Sequence, residues 1–515
     1  MLADLLDIAM FATLCGLLLL GYPVAFTLAG TALIFAALGA LTGVFDLVLL
    51  HALPQRVFGI ITNEILLAIP LFIFMGVLLE RSDIARSLLA SLTKALRGAR
   101  GGTGVAVVLV GALLAASTGI VGATVVTLTM LAVPSLLARG YPPALTGGLV
   151  AASGTLGQVI PPSIVLIILA EQIGNAAQQA SQSNPLAGLA PVSVGDLFAG
   201  ALIPGLVLAA LYALYVWWRS PTEASLTPEE TENGDSLVQS LVAPLGLIFA
   251  VLGSVLAGLA TPTEAASLGA LGALMLAGLR CSPADPFIRL AFIAMLGLAV
   301  FILFAAGTTQ SVALVLAIAL TALLMAGLVT SGLVLARADI LWPSVQRSLE
   351  ITAMIFAIVI AASLFVLVFR GLGGDALVSG LLEIVPGGTM GAVLVVMLVM
   401  FVMGFFLDFL EIMFIVVPLA APVLLQMPMP DGSPMNPVWL AVLIAVNLQT
   451  SFLTPPFGFA LFYLRGSLSA ETSKQISAAV LHRGVVPFVV IQLLVLVLLW
   501  LMPMLATWLP GVIYR

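Results

Sequence analysis

The sequence predicts an all-α polytopic membrane protein with two broken helices and two re-entrant hairpins, arranged as an inverted repeat. Of its 515 residues, 62% are hydrophobic and 8% are charged, whereas a soluble domain carries about 25% charged residues. No stretch is long and polar enough for a soluble catalytic or substrate-binding domain. Two double prolines within apolar stretches, and a one-sided distribution of lysine and arginine, supply the remaining observations.

Uninterrupted apolar runs of the length of a membrane-spanning helix, about 20 residues, recur along the chain. They lie near 5–20, 24–45, 65–80, 196–218, 237–258, 262–279, 287–306, 311–335, 347–369 and 484–502. Prolines, glycines and polar residues interrupt four further apolar segments, 103–138, 143–170, 389–427 and 437–464. We interpret 103–138 and 389–427 as re-entrant hairpins, each of which enters and leaves the membrane on one side.

The cationic residues sort onto one face when those two segments are drawn as hairpins. Arg56, Arg370 and Arg515 then lie on one side, and fourteen cations lie on the other. The fourteen are Arg81, Arg86, Lys94, Arg97, Arg100, Arg139, Arg219, Arg280, Arg289, Arg337, Arg347, Arg465, Lys474 and Arg483. Because cytoplasmic loops are enriched in lysine and arginine, we expect the larger group in the cytoplasm. The first hairpin then opens inward and the second outward, so the two halves are inverted.

Each double proline is expected to break a helix inside the membrane. The first is Pro161-Pro162 and the second is Pro455-Pro456. Proline lacks a backbone donor and keeps the preceding residue out of helical geometry, so nearby carbonyls and amides lose their partners. Lipid cannot satisfy these groups, so they must face protein, an ion or a water-filled cavity. Paired breaks in corresponding places of two halves predict a transporter's binding site.

Polar and small residues surround both breaks. Freed carbonyls and side-chain hydroxyls supply the oxygen ligands that sodium prefers, and helix amino-terminal ends favour an anionic substrate. The first candidate set is Ser117, Thr118, Gly119, Gly122, Ser153, Thr155, Gly157, Gln158, Pro161, Pro162 and Ser163. The second set is Asp408, Glu411, Asn447, Thr450, Ser451, Thr454, Pro455, Pro456 and Gly458. The alternative is that these small residues only let helices pack closely, as in any membrane bundle.

Two residue pairs that contain acids receive different interpretations. Asp408 and Glu411 are the only acids of the second hairpin segment, and membrane-buried acids are usually functional. An ion-coordinating, structural or protonated role is favoured there over direct substrate binding; the alternative is a hairpin tip whose acids are solvated. By contrast, Thr261 and Glu264 flank a proline in the pattern of a helix N-cap with a capping box, which we interpret as structural.

These motifs together resemble the large membrane subunit of tripartite ATP-independent periplasmic (TRAP) transporters, the DctM-like family, in its longer-chain branch. The matching stretches are Leu67–Gly76, Arg100–Gly102, Arg139–Tyr141 running on to Ile160–Ser163, Thr261–Ala266 and Thr454–Gly458. Residues from about 283 to 340 exceed the typical family length and look like an additional helix pair.

The resemblance implies an elevator-type transporter, in which hairpins and broken helices slide against a scaffold. The expected regions are scaffold helices at 1–100, the first hairpin and broken helix at 101–176, scaffold helices at 196–370, the second hairpin and broken helix at 386–466, and a C-terminal helix at 484–515. Sodium is expected at Ser117, Gly119, Thr155 and Gly157 (site 1) and at Thr450, Ser451 and Thr454 (site 2).

The resemblance also implies sodium-coupled uptake of an organic acid across the bacterial inner membrane. Two partners are expected, a small four-helix membrane subunit (DctQ-like) and a periplasmic substrate-binding protein (DctP-like). Lipid surrounds the chain, and neither nucleic acid nor a cofactor other than coupling sodium ions is expected.

Other functions stay open on the sequence alone. A membrane enzyme is disfavoured because the only histidines, His51 and His482, lie near predicted helix ends, so Ser153 lacks a membrane-embedded base. An ATP-driven pump is disfavoured because the chain has no Gly-x-x-x-x-Gly-Lys-Ser/Thr loop. An ion-gradient-driven carrier, or a channel working without a binding protein, could share the broken helices.

Overall fold

Every regular element in the part of the chain that the structure describes is a helix. The computed structural model describes residues 2–96, 98–118, 121–183, 191–221, 237–304, 310–455 and 458–514. The first half contains α1 (Leu2–Leu19), α2 (Val24–Leu41), a 3-10 helix (Leu47–Ala52), α3 (Leu53–Ile61), α4 (Glu64–Arg81), α5 (Ile84–Ala95), α6 (Gly102–Thr118), α7 (Val121–Ala138), α8 (Pro143–Thr155), a 3-10 turn (Leu156–Gln158), α9 (Ile164–Ser183) and α10 (Val194–Arg219).

The second half continues with helices of similar lengths. They are α11 (Leu237–Leu256), α12 (Pro262–Cys281), α13 (Pro286–Phe304), α14 (Gln310–Arg337), α15 (Leu341–Leu372), α16 (Gly374–Glu383), α17 (Gly388–Met403), α18 (Phe409–Gln426), α19 (Pro437–Leu453), α20 (Phe459–Ser467), α21 (Ala470–Gln475), α22 (Ala478–Leu501) and α23 (Met504–Ile513). Within the described ranges, eight helices are long and apolar enough to cross a membrane, and two bent pairs would bring the number to ten. The predicted all-α polytopic class is therefore confirmed.

Local sequence signals explain where several helices begin. Thr261 caps α12 as predicted: its hydroxyl accepts the backbone N–H of Glu264, and its own backbone N–H donates to the Glu264 carboxylate at 2.8 Å.

Two regions outside the predicted repeat also form helices. Residues 47–61, which lie between two predicted apolar runs, form the 3-10 helix and α3. The segment near 283–340 forms α13 and α14, which pack on each other, while α14 also packs on α12.

The same sequence of elements appears in both halves. In each, a long helix (α4 or α15) leads through a left-handed residue into a short helix (α5 or α16) and then a hairpin. The left-handed residues are Asp83 (φ 58°) and Gly373 (φ 115°). Aspartate and glycine both tolerate this conformation, whereas bulkier residues resist it. The repeat inferred from the order of features thus recurs in the backbone.

In each hairpin, a hydrogen bond joins the two arms at the end opposite the tip. The backbone N–H of Gly104, early in α6, donates to the Tyr141 hydroxyl, just beyond α7, at 3.1 Å. The Thr389 hydroxyl, early in α17, donates to the carbonyl of Pro428, just beyond α18, at 2.5 Å. The two arms of each pair are therefore antiparallel. We call α6–α7 the first hairpin and α17–α18 the second hairpin.

Each hairpin packs on the broken helix of the opposite half of the chain. The second arm of the first hairpin, α7, packs on α20, and the second arm of the second hairpin, α18, packs on α9. Each hairpin thus contacts the segment that follows the break in the opposite half. These elements consequently form one interlocked cluster, which α4 and α15 flank through contacts with α6, α9 and α18.

Candidate functional site

The first predicted break is present between α8 and α9. Helix α8 ends at Thr155, a 3-10 turn covers Leu156–Gln158, and α9 begins only at Ile164. We call residues 156–163 the first break. The Thr155 hydroxyl donates to the Ala152 carbonyl at 2.8 Å, and the Ser163 hydroxyl donates to the Gln158 carbonyl at 3.3 Å. These bonds satisfy part of the backbone that the prolines interrupt.

Several polar atoms beside the first break have no partner among the described residues. They are the hydroxyl of Ser153 and both side-chain polar atoms of Gln158, and both residues are fully buried. Leaving a buried polar group unpaired costs about 1–3 kcal/mol. Buried polar groups without a partner are rare in native folds, so those of Ser153 and Gln158 need an explanation, and a bound ion or polar ligand supplies one.

The second predicted break is present between α19 and α20. Helix α19 ends at Leu453 and α20 begins at Phe459; we call residues 454–458 the second break. Three hydroxyls there donate to carbonyls of their own helix: Thr450 to Val446 at 2.8 Å, Ser451 to Leu448 at 2.8 Å and Thr454 to Thr450 at 2.7 Å. Each hydroxyl proton is used in this way, but the lone pairs of these oxygens can still accept a hydrogen bond or coordinate a cation.

The two broken helices touch each other. The Gln449 side-chain N–H donates to the Thr155 hydroxyl at 3.3 Å, and the Gln449 carbonyl oxygen is buried without a partner among the described residues. Nearby, the Asn447 side-chain N–H donates to the Met397 carbonyl of α17 at 2.9 Å. Asn447 therefore ties the second hairpin to α19, and Gln449 joins the neighbourhoods of the two breaks.

A glycine of each hairpin lies directly against a serine of the nearby broken helix. A Cβ on Gly111 of α6 would lie 2.6 Å from the Ser153 Cβ, and one on Gly404, at the tip of the second hairpin, would lie 2.1 Å from the Ser451 Oγ. Only glycine permits such an approach. The first hairpin also meets α20, since a Cβ on Gly122 would lie 2.9 Å from the Tyr463 ring.

Asp408 and Glu411 form the N-terminal cap of α18. The Asp408 carboxylate accepts the backbone N–H of Phe409 at 2.8 Å, and the Glu411 carboxylate accepts that of Asp408 at 3.1 Å. Glu411 is only 8% exposed, so solvation does not account for it. The sequence analysis missed this cap, although the acids have the same spacing as Thr261 and Glu264.

Some of the remaining predicted residues lie in the two breaks, and others lie outside the described residues. Gly157, Pro161 and Pro162 are buried in the first break, Pro455 is half-buried in the second, and Gly458 precedes α20 with a φ of 36°. Gly119 and Pro456 lie outside the described residues, as do the side chains of Ser117 and Thr118, although the backbone of the latter two ends α6. The structure thus brings together Ser153, Thr155 and Gln158 at one break, and Thr450, Ser451 and Thr454 at the other.

The chemistry offered at the breaks is that of neutral oxygens in a buried setting. Hydroxyls, amide oxygens and freed carbonyls suit a hard cation such as sodium. The Asp408 and Glu411 carboxylates accept backbone bonds within the second hairpin, so the positive end of α18 is already neutralised. The amino-terminal ends of α9 and α20 follow the breaks directly and can favour an anion.

Known proteins resemble this chain over most of its length. The family profile described as "Tripartite ATP-independent periplasmic transporter, DctM component" matches residues 11–336 and 289–505. The C4-dicarboxylate TRAP transporter large permease protein DctM of Vibrio cholerae is 26% identical over 97% of this chain and 96% of its own length. That of Rhodobacter capsulatus is 32% identical over 52% of this chain and 59% of its own length.

A solved structure shares the fold. The structure described as "Crystal structure of the Alcanivorax borkumensis YdaH transporter reveals an unusual topology" aligns with a TM-score of 0.54 at 16% sequence identity. The alignment covers 89% of this chain and 88% of that one. At this identity the likeness concerns the arrangement of helices alone.

Proposed function

Because the chain belongs to the DctM component family of tripartite ATP-independent periplasmic transporters, we propose that it is the large permease subunit of a sodium-coupled importer of organic acids. The family is one of transporter components, so the membrane-enzyme alternative is set aside. The observation that carries the proposal is the meeting of two broken helices through Gln449 and Thr155, beside buried polar atoms that have no partner among the described residues.

Sodium coupling rests on the oxygens at the two breaks. At the second break, Thr450, Ser451 and Thr454 keep free lone pairs after donating to their own helix. At the first, Ser153 and Gln158 are buried, and within the described part of the chain their side-chain polar atoms have no partner. A sodium ion at each break would use these oxygens together with freed carbonyls, and it would offset the cost of burying them.

An organic anion as substrate follows from the helix ends. The amino termini of α9 and α20 follow the two breaks, and their free N–H groups favour a carboxylate. A bound sodium ion adds positive charge beside the same groups, so ion and substrate would stabilise each other's binding. The binding protein is expected to select the particular acid.

An elevator movement is supported by the way the elements pack. The two hairpins and two broken helices exchange partners and form one interlocked cluster, so they are suited to move together. Helices α4 and α15 contact this cluster from the side and also pack on each other and on α2 and α12. We propose that the cluster carries sodium and substrate across the inner membrane against this flanking group.

A small membrane subunit and a periplasmic binding protein complete the proposed transporter. The test is uptake by proteoliposomes that contain this chain and the small subunit, with the binding protein outside. Uptake should be saturable, and it should disappear when either the sodium gradient or the binding protein is omitted. Uptake in proportion to concentration, without either one, would show a channel instead.

A further inference from the structure

A cavity separate from the breaks lies between the flanking helices and the interlocked cluster. It has a volume of about 310 Å³, and α3, α4, α9, α15 and α18 contribute to its lining. We call it the outer cleft, because the charge distribution places Arg56 and Arg370, which both line it, on the side opposite most cations. None of the described residues of the two breaks contributes to its lining.

Arg370 is held firmly at the outer cleft. One of its terminal nitrogens donates to the Pro418 carbonyl at 2.7 Å and to the Gln179 side-chain oxygen at 2.9 Å. The Pro418 carbonyl is free to accept because Pro422, four residues later, has no backbone N–H. Asp375 pairs with the Nε of Arg370 at 3.3 Å. These contacts orient the guanidinium without using all of its donors.

Arg56 faces the same cavity without a counterion. It is half-buried, and among the described residues no acid lies within ion-pair distance of it. A partly buried charge that lacks a partner is unfavourable, and a second guanidinium lining the same cavity adds repulsion. An anion in the cleft would relieve both, since guanidinium groups bind carboxylates through paired hydrogen bonds.

Among the described residues that line the cleft, Glu171 is the one acid, and it already accepts hydrogen bonds. Its Oε1 accepts the side-chain N–H groups of Asn63 at 2.8 Å and of Asn175 at 3.0 Å. The described lining therefore holds two guanidinium groups against one carboxylate, while Asp375, outside the lining, pairs with Arg370 and leaves Arg56 as the uncompensated charge. Gln172 and Ser363 add neutral polar groups, and apolar residues such as Phe414 complete the wall. This mixture is typical of a small-ligand pocket.

We propose that the outer cleft is a second anion-binding site, in which the carboxylate of an organic acid binds between Arg56 and Arg370 before it reaches the breaks. The volume of the cleft is in the range of small-ligand pockets. The choice of an organic acid rests on the proposed function, whereas the binding itself needs neither sodium nor transport.

Chemical modification of arginine tests the site directly. The full chain in detergent is treated with phenylglyoxal, with succinate as the anionic probe and succinamide as its neutral counterpart, and modification of each arginine is followed by mass spectrometry. Succinate at ten times its dissociation constant should slow modification of Arg56 roughly tenfold, and succinamide should not. Arg86, whose side chain is 68% exposed outside the cleft, should react at the same rate throughout.

Two variants show whether protection of Arg56 depends on the charged groups of the outer cleft or is a general effect of succinate on the protein. Arg370→Gln should abolish protection of Arg56, and Glu171→Gln should strengthen it, because the repelling carboxylate is removed while the oxygen that accepts from Asn63 is kept. The second variant keeps the test valid if the first fails to fold. Equal Arg56 modification with succinate and succinamide overturns the proposal, as does protection by phosphatidylglycerol micelles without protection by succinate. Because the assay uses no gradient and no binding protein, its outcome is independent of whether uptake is sodium-coupled.

Discussion

The helices that lead into the two breaks are joined by the hydrogen bond from Gln449 to Thr155, but the polar groups at the two breaks are satisfied to different extents. At the first break, Ser153 and Gln158 are buried with no partner among the described residues. At the second, Thr450, Ser451 and Thr454 all donate to their own helix. The first break therefore leaves its nearby side chains under-satisfied unless a ligand binds, whereas the three hydroxyls of the second are satisfied as donors and still offer oxygen lone pairs, with the Gln449 Oε1 beside them unpaired among the described residues. Both helices are broken at prolines, but the side chains beside the two breaks differ in how many of their polar atoms are already hydrogen-bonded.

Close packing between hairpin and broken helix is common to both breaks, and disturbing it should have the largest effect. Gly404→Ala places a Cβ 2.1 Å from the Ser451 Oγ and 2.6 Å from its Cβ. We expect a loss of about 1–3 kcal/mol in the free energy of unfolding, as in other overpacked cores, and a loss of uptake. Thermal unfolding of the purified chain and the uptake assay measure the two effects.

Two further glycines, one crowded and one in open space, test whether the effect comes from close packing. Gly111→Ala should act in the same way at the first break, since its Cβ would lie 2.6 Å from the Ser153 Cβ and 2.9 Å from the Ser153 carbonyl oxygen. Gly332→Ala in α14 meets nothing within 4 Å, so it should leave uptake unchanged and stabilise the helix slightly. If all three variants behaved alike, the hairpin–break contacts would not be tightly packed.

Removing oxygens at the second break should weaken sodium binding. The double variant Ser451→Ala, Thr454→Ala should raise the sodium concentration for half-maximal uptake by roughly tenfold, for a loss of about 1.4 kcal/mol of binding. Among the described residues, both hydroxyls bond to carbonyls of their own helix and to no other group, so the fold should tolerate the change. An unaltered sodium response at normal expression would remove both residues from the site.

Removing the orphan hydroxyl at the first break should have a smaller and opposite effect on the sodium-free protein. Ser153→Ala eliminates a buried unpaired group, so the sodium-free protein should gain up to about 1 kcal/mol in the free energy of unfolding. Sodium should then stabilise this variant less than it stabilises the original chain. Equal stabilisation of the two by sodium would show that Ser153 does not contact the ion.

The smallest effect is expected at the cap of the second hairpin. Asp408→Asn keeps a good N-cap and removes the charge, so it should change stability by only a few tenths of a kcal/mol and leave the sodium response intact. Asp408→Ala removes the cap and should cost about 1 kcal/mol. A raised sodium requirement in Asp408→Asn would instead make this carboxylate an ion ligand.

The sequence was informative wherever one residue type carries a strong backbone constraint. Pro161, Pro162 and Pro455 predicted both breaks, and the Thr261–Glu264 pattern predicted the start of α12, because proline geometry and capping are local properties. The cap at Asp408 followed the same local rule, but the apolar surroundings of this acid favoured a functional interpretation instead.

Contacts between distant segments were beyond the reach of the sequence. The bond from Gln449 to Thr155 joins residues 294 positions apart, and no local pattern signals it. The outer cleft likewise combines Arg56 with Arg370, which the sequence grouped only by membrane side. Such contacts depend on how the helices pack, which periodicity does not specify.

If the two breaks hold the ions that drive uptake, the initial uptake rate must depend on external sodium, and this dependence can be measured. In proteoliposomes with both partners, we expect a sigmoidal dependence, and its midpoint should shift to roughly tenfold higher sodium in the Ser451→Ala, Thr454→Ala variant, because one of the two ion sites has then lost two oxygens. Uptake at an equal rate with and without external sodium would contradict the claim.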